Sequence, residues 1–186
     1  MVHPLVCMRD MVAPGWRGCV QQKDRLPILE LAVARVFEGF GSALRSLVLF
    51  GSLARGKANE ESDIDLLLVA DGLPERYDKR LSMVRSILSF EPIEKWRSLL
   101  WKERRVYPLV EVVTLTAEEA LTTHPFYLDM TESAIMIYDR EMFFARKLDD
   151  LKARLEKIGA FKSVLPSGQW FWVLAKDASA AEKLVL

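Results

Sequence analysis

Two apolar runs and the turn that joins them constrain this chain more than any other feature. Leu47-Val48-Leu49-Phe50 leads straight into Gly51-Ser52-Leu53-Ala54-Arg55-Gly56, and Asp63-Ile64-Asp65-Leu66-Leu67-Leu68-Val69 follows. Short apolar runs bounded by turn formers read as buried strands. The second is apolar on both faces beyond its first residues, as a central strand is. Asp63 and Asp65 lie two apart at its start, so their carboxylates point to one face. Unpaired, they repel each other and cost stability unless a positive charge sits between them. Hard oxygen donors of this kind suit Mg²⁺, which bridges protein carboxylates to substrate phosphates. At the end of the first run, Gly51 and Ser52 turn the backbone so that N–H groups converge, and glycine lets a phosphate come close. Ser52 adds a hydroxyl donor, with Arg55 and Lys57 within reach of the same anion.

A third apolar run, Leu109 to Leu115, carries a lone charge, Glu111. A buried strand does not hold a carboxylate cheaply, which makes Glu111 the candidate third acid. Helical spacing predicts a helix opened by Asp24 and Pro27, and a second after Pro74 with Tyr77, Leu81, Val84 and Leu88 as its buried stripe. The basic segment 94–105 reads as a solvated helix anchored by Trp96 or Trp101. Thr116 and Glu119 have capping-box spacing, and residues 134–138 read as a short strand. An amphipathic helix over residues 141–158 and a hairpin with Trp170 and Trp172 on one strand face close the pattern.

The expected division is a loosely ordered extension over residues 1–23, a catalytic domain over 24–140, and a helix-plus-hairpin appendage over 141–186. Composition narrows the function classes. The 186 residues carry 26 Lys+Arg against 26 Asp+Glu, so no bulk field draws the chain to nucleic acid or an anionic membrane. Any phosphate chemistry must come from a local arrangement. Cys7 and Cys19 are too few for a secreted disulfide scaffold, and with His3 they form no standard metal spacing. No apolar run approaches the length of a membrane span and no signal-peptide pattern opens the chain, so the expected location is cytoplasmic.

The segment Gly-Ser-x-Ala-Arg-Gly … Ser-Asp-Ile-Asp-Leu, with an acid on a later strand, resembles the signature of the DNA polymerase β-like nucleotidyltransferase superfamily, most of all its minimal archaeal and bacterial members. The resemblance implies an α/β (α+β) nucleotidyltransferase fold, a small mixed β-sheet flanked by helices. It implies transfer of a nucleoside monophosphate, AMP foremost, from ATP or another NTP to a hydroxyl, with release of pyrophosphate. By the same resemblance Gly51 and Ser52 hold the triphosphate. Asp63 and Asp65 bind two Mg²⁺ (or Mn²⁺) ions, and Glu111 helps bind the second and activates the acceptor. Many members carry Asp at that third position. The implied partners are the nucleotide and an acceptor that is a protein, a small molecule or an RNA end. A different class of role is also implied: an antitoxin-like protein that neutralises a small helical HEPN-type toxin by adenylylation or by covering it. A homo-oligomer through the apolar hairpin is left open.

Overall fold

The computed structural model describes residues 12–174, so His3, Cys7 and the outer parts of both predicted terminal segments lie outside the described residues. The described elements, in chain order, are α1 (Trp16–Cys19), α2 (Leu26–Phe40), β1 (Leu44–Phe50), α3 (Gly51–Ala54), β2 (Ile64–Ala70), α4 (Tyr77–Leu88), α5 (Glu91–Arg104), β3 (Val110–Leu115), α6 (Ala117–Leu121), α7 (Tyr127–Ser133), β4 (Ile135–Asp139), α8 (Phe143–Lys157), β5 (Phe161–Val164) and β6 (Trp170–Val173). Four strands form one mixed sheet in the order β3-β2-β1-β4. β1 pairs antiparallel with β2 and β4, and β2 pairs parallel with β3. A separate two-stranded sheet is the β5-β6 hairpin.

Period-two alternation divides the central strands between two cores. Leu47 and Leu49 of β1 and Leu66 and Leu68 of β2 pack with Ile28, Leu29, Val33 and Val36 of α2 and Ile93 and Leu100 of α5. Val48, Leu67 and Val69 face the other way, onto Tyr127 of α7 and Phe144, Leu148, Leu151 and Leu155 of α8. Helices therefore cover both faces of β1 and β2. This agrees with a mixed sheet flanked by helices and explains why β2 tolerates no polar residue past Asp65.

Several sequence expectations need correction. Residues 12–20, read as part of a loose extension, are packed: Trp16 and Val20 are buried in the α2-side core, and the Ala13 N–H donates to the Ile137 carbonyl at 2.8 Å. An isolated four-residue helix has no apolar periodicity to read, so only its tertiary contacts reveal it. Asp24 does not cap α2. A 3₁₀ turn over Lys23–Arg25 leads into the helix, and no side chain caps it. The α8 helix shares a core with the sheet rather than hanging from it. It begins at Phe143, not residue 141, because the Asp139 carboxylate accepts from the N–H groups of Phe144 and Ala145 at 3.0 and 2.9 Å. On α5 the anchors are Ile93 and Leu100, while Trp96 and Trp101 are exposed. On α4, Tyr77 is exposed and Arg80 is buried.

The Arg80 exchange has a partner to explain it. Its guanidinium donates to both oxygens of Glu119, at 2.6 and 3.0 Å, and to the Pro74 carbonyl. Glu119 also completes the predicted capping box, accepting from the Thr116 N–H while the Thr116 hydroxyl accepts from the Glu119 N–H. One carboxylate thus ties α4 to the start of α6. Arg80→Ala is expected to cost about 2 kcal/mol, since it removes charge-assisted hydrogen bonds from a buried site. For a chain of this size that lowers the melting temperature by about 4–8 °C. The hydrogen bond from Arg80 holds the Glu119 carboxyl below its usual range. That contribution is present above the ordinary glutamate pKa and is lost as pH falls through the depressed one. The gap between wild type and Arg80→Ala should therefore close on acidification, as thermal melts across pH will show.

Candidate active site

β1 ends at Phe50 and the chain turns through Gly51 into the short helix α3. Gly51 adopts φ +70°, and a Cβ at that position would lie 1.9 Å from Asp65 Oδ2. The turn is thus seated directly against the Asp65 carboxylate, and glycine is required on both counts. Asp65 lies opposite Phe50 in the β1-β2 register and opposite Glu111 in the parallel β2-β3 register. Strand alternation places it on the same face as Leu67 and Val69, toward α7, α8 and the hairpin.

Burial raises the pKa of Asp65, and the neighbouring charges of Glu111 and Asp63 raise it further, while Arg55 pulls it down. The three acids and Arg55 therefore share one field. They do not converge fully. Among the described residues no three Asp, Glu, His or Cys side chains form a ready-made metal cluster. Two causes are visible. Asp63 turns one oxygen aside to accept the Leu109 N–H at 2.8 Å, which pins the start of β3. Glu111 is exposed, because β3 is an edge strand of the sheet. The expectation that Glu111 is an acid trapped on a buried strand is thus incorrect, although its pairing with Asp65 places it at the site. The donor set itself fits a hard divalent cation: carboxylate oxygens alone, one of them half-buried and repelled by two others.

Of the two predicted anion contacts, the structure brings in one. Arg55 is half-buried beside Asp65, whereas Lys57 is exposed. The Lys57 N–H closes the turn onto the Ser52 carbonyl at 2.9 Å. Between the two halves of the motif, Asn59 and Ser62 bond each other in a tight loop, with the Ser62 hydroxyl donating to Asn59 Oδ1 at 2.8 Å. Buried Arg25 holds that loop from outside by donating to the Asn59 carbonyl. Gly56 at φ +66° packs on the Gln21 side chain, where a Cβ would come within 2.5 Å. The segment before α2, featureless in sequence, therefore buttresses the motif. No periodic signal could have revealed Arg25 or Gln21.

Comparison with known proteins identifies the family. The nucleotidyltransferase domain family matches residues 34–122, which span Gly51, Ser52, Asp63, Asp65 and Glu111. A Methanocaldococcus jannaschii protein named "Putative protein adenylyltransferase MJ1305" is 33% identical over 132 residues, covering 70% of this chain and 83% of that protein. The chain belongs to the nucleotidyltransferase domain family. Members transfer a nucleotidyl group, so the reaction class follows from membership. Among solved structures, "a putative nucleotidyltransferase from Sulfolobus solfataricus" has 24% identity and a TM-score of 0.41, covering 64% of this chain and 86% of that one. A toxin-antitoxin structure with AMP-PNP has 13% identity and a TM-score of 0.41, covering 70% and 92%. Both likenesses are weak. No helix among the described residues is long and apolar enough to cross a membrane.

Proposed function

We propose that this nucleotidyltransferase moves AMP from ATP onto a hydroxyl of a protein acceptor, with a divalent cation, Mg²⁺ foremost. The observation that carries the reading is the seating of the Gly51 turn on Asp65, with Glu111 opposite it in register. The choice of AMP and of a protein acceptor is supported by the name of the 33% identical relative.

In this reading Gly51 and Ser52 bind the triphosphate through backbone N–H groups and the Ser52 hydroxyl, and Arg55 adds a fixed positive charge. Lys57 contributes a solvated charge at the mouth. Asp65, Glu111 and the second oxygen of Asp63 would hold the pair of divalent cations, which would neutralise the charge that develops on the phosphates. The acceptor oxygen forms a bond to the α-phosphorus as the bond to the pyrophosphate oxygen breaks, and the hydroxyl proton passes to Glu111. An exposed carboxylate at the sheet edge suits that role, because an incoming macromolecular hydroxyl can reach it.

The test is incubation of the protein, Mg²⁺ and source-cell extract with ATP labelled at the α-phosphate or at the γ-phosphate. The α-label is expected on a protein band and the γ-label on none. Failure to label anything from either position sinks the reading. Label confined to RNA ends or small molecules keeps the reaction and overturns the protein acceptor. Label on a small helical protein that co-purifies would identify a HEPN-type partner as that acceptor.

A further inference from the structure

The β5-β6 hairpin lies outside the residues that the family model matches, yet it reaches the site through Trp170. The guanidinium carbon of Arg55 sits 4.9 Å from the centroid of the Trp170 ring. The same Arg55 acts on Asp65, and its Nε is buried with no hydrogen-bond partner among the described residues. A buried N–H without an acceptor is costly, and an anion arriving at the turn to which Arg55 belongs would supply one.

Trp170 is itself firmly held. Its indole N–H donates to the two oxygens of Asp129 at 3.2 and 3.3 Å, and the Trp172 N–H reaches the same carboxylate at 3.0 Å. Lys162 bridges Asp129 and Glu132 at 2.8 and 2.7 Å and lies 5.3 Å from the Trp170 ring centroid. Asp129 and Glu132 belong to α7, whose Tyr127 and Met130 are buried in the core. A chain of contacts therefore runs from the core through Asp129 and Trp170 to Arg55.

We propose that Trp170 is a positioning residue for Arg55: the hairpin fixes the guanidinium at the triphosphate turn and so sets the affinity for nucleotide. The inference rests on the nucleotidyl-transfer reading above. Base stacking on Trp170 is the poorer role, since two cations already lie over its ring. A cation held over an indole face loses less freedom when a phosphate arrives, and the effect belongs to binding rather than to the chemical step.

The experiment measures KM for ATP and kcat in wild type, Trp170→Leu, Trp170→Phe, Arg55→Ala and Trp170→Leu/Arg55→Ala. Trp170→Leu should raise KM about five- to tenfold with kcat nearly unchanged, and Trp170→Phe, which keeps an aromatic face, should recover most of the loss. On the Arg55→Ala background, Trp170→Leu should add almost nothing, because its effect runs through Arg55. Equal losses on both backgrounds, or no rescue by Phe, overturn the inference while nucleotidyl transfer by wild type still stands. A wild type that neither binds ATP nor transfers AMP overturns both. Trp170 is 38% exposed on the hairpin, so each variant is expected to fold, as a thermal melt will check.

Discussion

Asp65→Asn is expected to raise the melting temperature of this protein and to abolish nucleotidyl transfer in the same variant. The carboxylate is half-buried, faces Glu111 in register and lies in the field of Asp63. Burial and both like charges push its pKa up, and Arg55 offsets only part of this. A raised acid pKa means the folded state holds the proton more tightly than the unfolded chain does. Charged Asp65 is therefore a cost at neutral pH, relieved as pH falls through the raised pKa into the ordinary carboxylate range. Asn keeps the shape and removes the cost at every pH. A gain of about 2–4 °C at neutral pH is expected, shrinking toward zero in acid. Millimolar Mg²⁺ should narrow the gap from the other side, raising the melting temperature of wild type and not of Asp65→Asn, since a ligand stabilises only the state that binds it. Stability and activity moving in opposite directions is the signature of an electrostatically strained site. A variant that is both less stable and inactive would mean that Asp65 is structural.

The legibility of this site in the sequence had a local cause. Gly51, Ser52, Asp63 and Asp65 sit within fifteen residues on two strands and the turn between them, where period-two alternation fixes which side chains share a face. The same alternation identified β2 as central, because its apolar run continues on both faces. Glu111 stands out in the sequence by its isolation on an apolar run, but the strand that carries it is not buried. β3 sits at the sheet edge, where a carboxylate faces solvent at little cost. A run of six residues does not say how many neighbours it has.

What the sequence hid was non-local. Arg25, Gln21 and Trp16 reach the motif or the core from a stretch with no period, because their roles are set by partners far along the chain. Arg80 lies outside the apolar stripe that the spacing predicts on α4, and only Glu119, thirty-nine positions later, accounts for its burial. The Trp170-Trp172 alternation was visible, whereas the Asp129 that binds both indoles and the Arg55 beneath one of them were not. The hairpin therefore read as a tail, although it is joined through Trp170 to the turn that the motif defines.

Gly51→Ala is expected to be the most damaging glycine-to-alanine change among the described residues. The added Cβ would lie 1.9 Å from Asp65 Oδ2, 2.7 Å from its Cγ and 3.1 Å from its Cβ, so swinging the carboxylate aside relieves only part of the clash. Backbone at φ +70° adds a separate penalty of about 1–2 kcal/mol for any residue with a Cβ. With overpacking, the total is about 2–4 kcal/mol, which lowers the melting temperature on the order of 10 °C. Gly56→Ala at a similar φ meets only the flexible Gln21 side chain, and should cost about half as much. A double-mutant cycle separates the two terms at Gly51. On an Asp65→Ala background the carboxylate contact is gone and the positive-φ penalty remains. Gly51→Ala should then cost about 1–2 kcal/mol less than it does in wild type. Were the cost the same on both backgrounds, the turn would not be resting on Asp65, and the glycine would serve the backbone alone. If instead Gly51→Ala melted within a degree of wild type and still transferred AMP, the contact on which the proposed triphosphate site depends would be absent.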